Sequence, residues 1–420
     1  MMERCVKRAL VLFGAGASAE YKAPSTIGLT TTIEQEVAAD RYLQMTGGDA
    51  AFQAIRAGLA GYLQKPGVIN FEQIYHVAHE LLFTYPPTPG AFDEFKPIMQ
   101  PFVANTTGLS QEAARALCDK IVAVIYEEVS RSCDNNPHGL DPLKRFVERL
   151  RGDYVTRVYT TNYDDFPLQA APDLYTGFEG GAGPRPFDVK GFWRKERRDG
   201  LFHLHGSVHM GYAHPGGGSE IGELFWFDDR AEALKHVSFS GSSPQRMDGT
   251  SVLRTPVITG LEKLSRVQQR PFSHFYSMMA RDAMRADVIF VIGSGLADLH
   301  LNTWLAEARS RSPKPPLLFV DCWPNGYEDD TYSDLDHKII ELFHRLQVHI
   351  TERYRGTRAG NWIASHDGTA AIWDKGFQAF LNAPDELETV LGMLPRVPAR
   401  SRTRRLTRRL YRGWSSRRGA

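Results

Sequence analysis

The feature that most constrains this chain is a short apolar run, Ala9-Leu10-Val11-Leu12-Phe13, which passes directly into Gly14-Ala15-Gly16-Ala17-Ser18. Such a run makes a strand buried on both faces. Where it breaks into small residues the backbone can approach a ligand closely. The N–H groups of Gly14, Ala15, Gly16, Ala17 and Ser18 are then candidates to cradle a pyrophosphate. A plain tight turn fits the same letters, and the third glycine of a dinucleotide fingerprint is missing, since Ala19 follows Ser18.

Three later stretches favour the ligand. They are Tyr159-Thr160-Thr161-Asn162-Tyr163-Asp164, then His203-Leu204-His205-Gly206-Ser207, then Val291-Ile292-Gly293-Ser294-Gly295 followed by Asp298, His300 and Asn302. Each follows or closes a β-rich run. Polar groups at the carboxyl ends of several strands are what a doubly wound sheet offers a ligand at its crevice. In this order the four stretches resemble the Sir2 (sirtuin) superfamily, specifically its bacterial SIR2-like NAD-hydrolase branch, over roughly residues 7–322.

The resemblance implies a Rossmann-like α/β fold, with a doubly wound, mostly parallel sheet, and NAD as the substrate. It implies that Asn162 and His205 are the catalytic pair, with Asp164 beside them. Asp164 either holds the nicotinamide amide or orders its loop, and reads equally as a cap on the following turn. Thr161 stands where classical sirtuins carry glutamine. Gly293, Ser294, Gly295 and Asp298 are expected near ribose and phosphate, although Asp298 also fits a helix N-cap. Asp321 closes a further apolar run, where an acidic group contacts an adenosine ribose; a loop aspartate is the alternative.

The cysteines Cys5, Cys118, Cys133 and Cys322 are scattered, with no C-x-x-C, which argues against a disulfide scaffold and a four-cysteine zinc site. This pattern is consistent with a reducing, cytoplasmic setting. Protein-deacylating sirtuins carry two C-x-x-C pairs after the H-G strand, whereas residues 210–223 here hold no cysteine. Deacylation is therefore disfavoured, and no metal is expected. The histidines His76, His79, His203, His209 and His214 read as packing or hydrogen-bonding groups, with His203 on the same strand face as His205. No apolar run approaches the roughly 20 residues that cross a bilayer. The basic, then apolar, N-terminus runs into the glycine turn and reads as a strand, not a signal peptide.

With 420 residues, 42% hydrophobic and 24% charged, the chain suits one large α/β domain with an insertion. Residues 20–30 read as a loop. Periodicity predicts helices over 33–45, 50–64, 71–83 and 111–131, and another to about 151 with Asp141 as N-cap and Pro142 behind it. These make a helical insertion at about 31–151. Strands are expected over 154–161, 201–205, 256–259, 286–292, 315–320 and 348–353, and helices over 271–285 and 299–310. Residues 176–186, 214–220 and 238–251 read as loops.

The NAD-hydrolase domain is taken as 1–380 and a basic tail as 381–420. From Arg396 onward there are ten arginines and no acidic residue, so with a net charge of +1 the remainder of the chain carries −9. Leu406, Leu410 and Trp414 recur every four residues among them. Nucleic-acid contact, docking to an acidic partner or neighbouring subunit, and a solubilising tail remain open.

The expected reaction is cleavage of NAD⁺ to nicotinamide and ADP-ribose or its cyclic form. The resemblance further implies NAD⁺ depletion in antiphage defence, triggered by homo-oligomerisation or by a partner such as a HerA-like ATPase or an Argonaute-like protein. The alternatives are a protein deacylase, an ADP-ribosyltransferase, or a non-catalytic NAD or ADP-ribose sensor.

Overall fold

The apolar run forms β1 (Arg8–Phe13), whose side chains leave it alternately in opposite directions. Ala9, Val11 and Phe13 enter one core, Leu10 and Leu12 another. An apolar residue is therefore needed at every position from Ala9 to Phe13. The computed structural model describes residues 6–63, 69–82, 109–135, 139–195, 197–213, 223–237, 255–260, 267, 269–323, 337–350 and 357–395. The arginine-rich segment 396–420, His214 and the expected loop 238–251 lie outside these residues.

The further strands are β2 (Val155–Thr160), β3 (Arg185–Pro186), β4 (Gly200–His203), β5 (Met210–Gly211), β6 (Phe225–Trp226), β7 (Val288–Ile292), β8 (Leu317–Val320), β9 (Thr357–Ala359), β10 (Trp362–Ala364) and β11 (Ala370–Trp373). The main sheet runs β4-β2-β1-β7-β8-β11-β10-β9. Its first six strands are mutually parallel, and β10 and β9 add an antiparallel edge. Numbered among themselves, the six parallel strands stand in the order 3-2-1-4-5-6 of the doubly wound dinucleotide fold. The chain reverses its winding between β1 and β7, so the crevice of this sheet opens at Gly14 and Gly293.

Between β1 and β2 come the helices Ala15–Ala19, Thr26–Ala39, Arg41–Thr46, Gly48–Leu63, Phe71–Leu82, Gln111–Asp134 and Asp141–Asp153. Ile121, Val122, Ile125 and Val129 bury one stripe of the helix Gln111–Asp134. Its Tyr126 hydroxyl lies 2.6 Å from Met210 O and 3.0 Å from Ser207 O, donating into the loop that follows β4. The insertion is thereby tied to the strand ends it covers.

Several local expectations change. Residues 20–30 are not all loop: the Ser25 hydroxyl accepts from Gly28 N and starts a helix at Thr26. The expected helix over 33–45 is broken at Asp40, whose carboxylate accepts from Tyr42 N and Leu43 N and so starts a second helix. Leu140, not Asp141, holds the N-cap position before Pro142. Residues 256–259 are buried but form no strand. The Ile258 N–H donates to His205 O at 2.7 Å, just past the end of β4. Residues 348–350 are not strand either, and 351–353 lie outside the described residues.

The loop expected over 176–186 ends in β3, which pairs with β6 in a small antiparallel sheet with β5. Beyond residue 380 the chain is still packed. The helix Pro384–Met393 buries Leu387 and Val390 in the main core, so the folded body passes the expected boundary. Among the described residues no helix is long and apolar enough to cross a membrane.

Candidate active site

Two glycine turns meet at the crevice. Gly14 N donates to Ile292 O at 2.9 Å and Gly16 N to Gly293 O at 2.7 Å. A Cβ on Gly14 would stand 2.6 Å from both Gly293 O and Ser294 Cα, and one on Gly293, at φ +61°, would overlap Ala17 N. Contact between the turns, not only access for a ligand, therefore demands these glycines. It also alters the expected phosphate cradle. The N–H groups of Gly14, Gly16 and Ala17 are spent on the Ile292, Gly293 and Gly14 carbonyls.

Beside this junction is a cavity of about 560 Å³. Gly14, Ala15, Ser18, Thr161, Asn162, Asp164, His205, Ser294, Gly295 and Asp298 line it, so strand ends distant in sequence converge there. Gly16, Ala17 and Gly293 do not, because they face the opposite turn. Asp321 lies off the wall as well: its carboxylate pairs with Lys338 Nζ at 2.7 Å and accepts from Cys322 N. The helical insertion supplies further wall through Leu29, Phe71, Glu72 and Val129, which sequence reasoning did not select. No local motif marks them, since only tertiary packing brings them over the sheet.

Asn162 follows β2. Its Nδ2 donates to Gly14 O at 2.8 Å and to Ser18 Oγ at 2.7 Å. Both amide hydrogens are thus fixed, and Oδ1 is the acceptor that remains. Ser18 Oγ in turn donates a hydrogen bond to Asp164 Oδ2 at 2.6 Å. Asp164 is fully enclosed. Burial raises its carboxyl to about 6, against the opposing hydrogen bond from Ser18. Its neighbour Asp165 behaves in the reverse way. Burial pushes it up, but the His209 hydrogen bond and the His209 and Arg230 charges outweigh this and hold it well below the usual range.

His203 and His205 do not share an environment. His203 ends β4 inside the core, with Nε2 2.9 Å from Asp164 O, and burial lowers it to about 4. His205 lies past the strand end. Its Nε2 is 3.1 Å from Tyr276 Oη and 3.0 Å from Asp298 Oδ2. Gly206, at φ +94°, permits the turn, and a Cβ there would overlap Pro256 O. Asp298 holds the N-cap position of the helix Leu299–Arg309 but makes no side-chain cap, and stands between His205 and His300 instead. His209 bonds Asp165 and stacks on Trp226. Among the described residues no three His, Cys, Asp or Glu side chains are grouped to hold a metal ion.

Residues 156–339 match the sequence model of the SIR2-like domain, a span that contains Asn162, His205 and Asp298 but not the first glycine turn. No curated protein matches the chain significantly. Similar solved structures include a Sir2 homologue mutant with 2′-O-acetyl ADP-ribose, at 16% identity and a TM-score of 0.35, covering 75% of this chain and 80% of that one. A Sir2 homologue–NAD complex is 15% identical, with a TM-score of 0.34 and coverage of 76% and 80%. A Sir2 homologue mutant with ADP-ribose is 17% identical, with a TM-score of 0.34 and coverage of 76% and 82%. The fold assignment rests on the strand order, and the family likeness on the sequence model, to which residues 156–339 are similar as a SIR2-like domain.

Proposed function

We propose that this protein is an NAD⁺ glycohydrolase. The observation that carries the reading is the convergence of Asn162 and His205 on one cavity at the switch point of a doubly wound sheet. Among the described lining residues the charged side chains are Glu72, Asp164 and Asp298, with His205 and His300 beside them. Such a wall favours a cationic pyridinium, which oxidised NAD⁺ supplies and NADH does not. Ser294 and Gly295 on the β7 side and Ala15 on the β1 side line the same cavity and are assigned to border the ribose and phosphates.

In the proposed reaction the bond between ribose C1′ and the pyridinium nitrogen breaks, and its electron pair leaves with neutral nicotinamide. A water oxygen bonds to C1′, and its proton passes to His205 and then to solvent. The transition state resembles an oxocarbenium ion, so positioning and electrostatics dominate. Asn162 Oδ1 accepts from the water or a ribose hydroxyl, and His205 is the proton acceptor. Asp164 sits two hydrogen bonds behind Asn162, through Ser18. By the resemblance to SIR2-like hydrolases we assign the activity to antiphage NAD⁺ depletion, switched on by a partner or by assembly.

The test is product analysis by mass spectrometry after incubating the full-length chain with NAD⁺, with and without an acylated peptide. Free ADP-ribose or its cyclic form, independent of peptide, supports hydrolysis. Peptide-dependent O-acyl-ADP-ribose, ADP-ribosylated protein, or NAD⁺ bound but intact would replace it with the deacylase, transferase or sensor reading.

A further inference from the structure

His205 is buried, and what surrounds it decides which ring nitrogen carries the proton. Among the described residues, titratable groups of three elements share its surroundings. Tyr276 comes from the helix Phe272–Ala283, Asp298 and His300 from the start of the helix Leu299–Arg309, and Tyr163 and Asp164 from the loop after β2. Burial, and then the Asp298 charge, push the Tyr276 phenol far above its ordinary range, so Tyr276 remains a neutral hydroxyl. Tyr276 Oη hydrogen-bonds Nε2 at 3.1 Å, and Asp298 Oδ2 stands 3.0 Å from the same nitrogen.

A carboxylate oxygen at 3.0 Å from an unprotonated ring nitrogen would set lone pair against lone pair. A proton on Nε2 turns the same contact into an attraction. We infer that Asp298 is a positioning residue: it holds His205 as the Nε2–H tautomer, which makes Nδ1 the basic atom of the ring, and it stabilises the imidazolium that proton transfer creates. This is the logic by which a carboxylate behind a histidine sets its tautomer in hydrolytic triads. Asp298 is thereby assigned no capping role, and it acts on His205 in addition to its share in the negative charge of the cavity wall. The inference rests on the proposed reaction for its importance to turnover, but its structural content does not depend on that reaction.

The experiment is ¹⁵N NMR of the histidine side chains in the full-length protein, as wild type, Asp298→Asn and Tyr276→Phe, with each His205 resonance assigned by its loss in His205→Gln. Wild type is expected to show Nε2 protonated and Nδ1 unprotonated. In Asp298→Asn the His205 titration midpoint should fall by about one pH unit or more, because an anion within 4 Å has been removed. In Tyr276→Phe the Nε2–H tautomer should persist, since the carboxylate remains.

For NAD⁺ cleavage, Asp298→Asn should lower kcat at least tenfold with KM changed less than threefold, as expected of a residue acting through His205. An Nδ1–H tautomer in the wild-type protein would overturn the inference, even if the Asn variant failed to fold. So would an unchanged His205 midpoint in Asp298→Asn, or a loss carried wholly by KM. Absence of NAD⁺ cleavage by all forms would refute the hydrolase reading alone, leaving the tautomer and midpoint to decide this one.

Discussion

Ser18 Oγ lies 2.7 Å from Asn162 Nδ2, accepting from the amide while it donates to Asp164 at 2.6 Å. The glycine turn therefore does more than accommodate a ligand. Its last residue orients the Asn162 amide and stabilises the Asp164 carboxylate, so Ser18→Ala should raise the Asp164 pKa above its value of about 6. Carbon-detected NMR titration of the Asp164 carboxyl checks this, and a midpoint unchanged or lowered in the variant would remove Ser18 from the chain of bonds.

His203 is buried and neutral, lowered from 6.5 to about 4. The unfolded chain binds a proton at this residue that the folded chain refuses, so its contribution to stability is full above pH 6.5 and is lost as pH falls toward 4. Asp164, raised, acts in the opposite direction over nearly the same range, so the comparison must be with a His203→Gln variant. The stability difference between wild type and variant should shrink by about 3 kcal/mol between pH 7 and pH 4. Urea midpoints at several pH values measure it, and a constant difference would contradict the assignment.

Glu20 closes the body of the fold from the other side of the first turn. Its two carboxylate oxygens accept from Phe377 N and Gln378 N, each at 2.6 Å, at the start of the helix Phe377–Leu381. Glu20→Ala leaves both donors without this partner and should cost about 1–3 kcal/mol. Glu20→Gln should cost less, because one oxygen still accepts. Chemical denaturation of the three proteins ranks them, and equal stabilities would show that water replaces the carboxylate freely.

The legible parts of this fold are those where a continuous apolar run ends in small or polar residues. β1, β7 and the β4 segment are of this kind because burial on both faces leaves no other composition workable. The unread parts are short or non-local. β3, β5 and β6 have two residues each and show no period, and β9 to β11 are nearly as brief. Residues 256–259 have strand-like composition, yet serve as a strap over His205. Within the site, the residue types at Asn162, His205 and Asp298 pointed to a ligand. The partnership of His205 with Tyr276, and the cavity wall formed by Phe71 and Glu72, arise from packing between elements far apart in the chain and leave no local trace.

Because His203, His205 and His209 are engaged with a carbonyl, a hydroxyl and carboxylates, and no three His, Cys, Asp or Glu side chains among the described residues are grouped to hold a metal ion, incubation with EDTA should change neither stability nor NAD⁺ cleavage. Elemental analysis alongside an activity assay checks this. Stoichiometric zinc that is lost together with activity would contradict it.

The most direct test of the account is nicotinamide release from NAD⁺ by purified full-length protein, alone and mixed with the product of the adjacent gene, for wild type, Asn162→Ala and His205→Ala. Wild type should release nicotinamide in at least one condition. Each variant should be slower by about 100-fold or more, as for loss of a positioned acid–base or orienting group, while keeping wild-type secondary structure and melting behaviour. Undiminished release by both folded variants, or none by wild type in either condition, would contradict it.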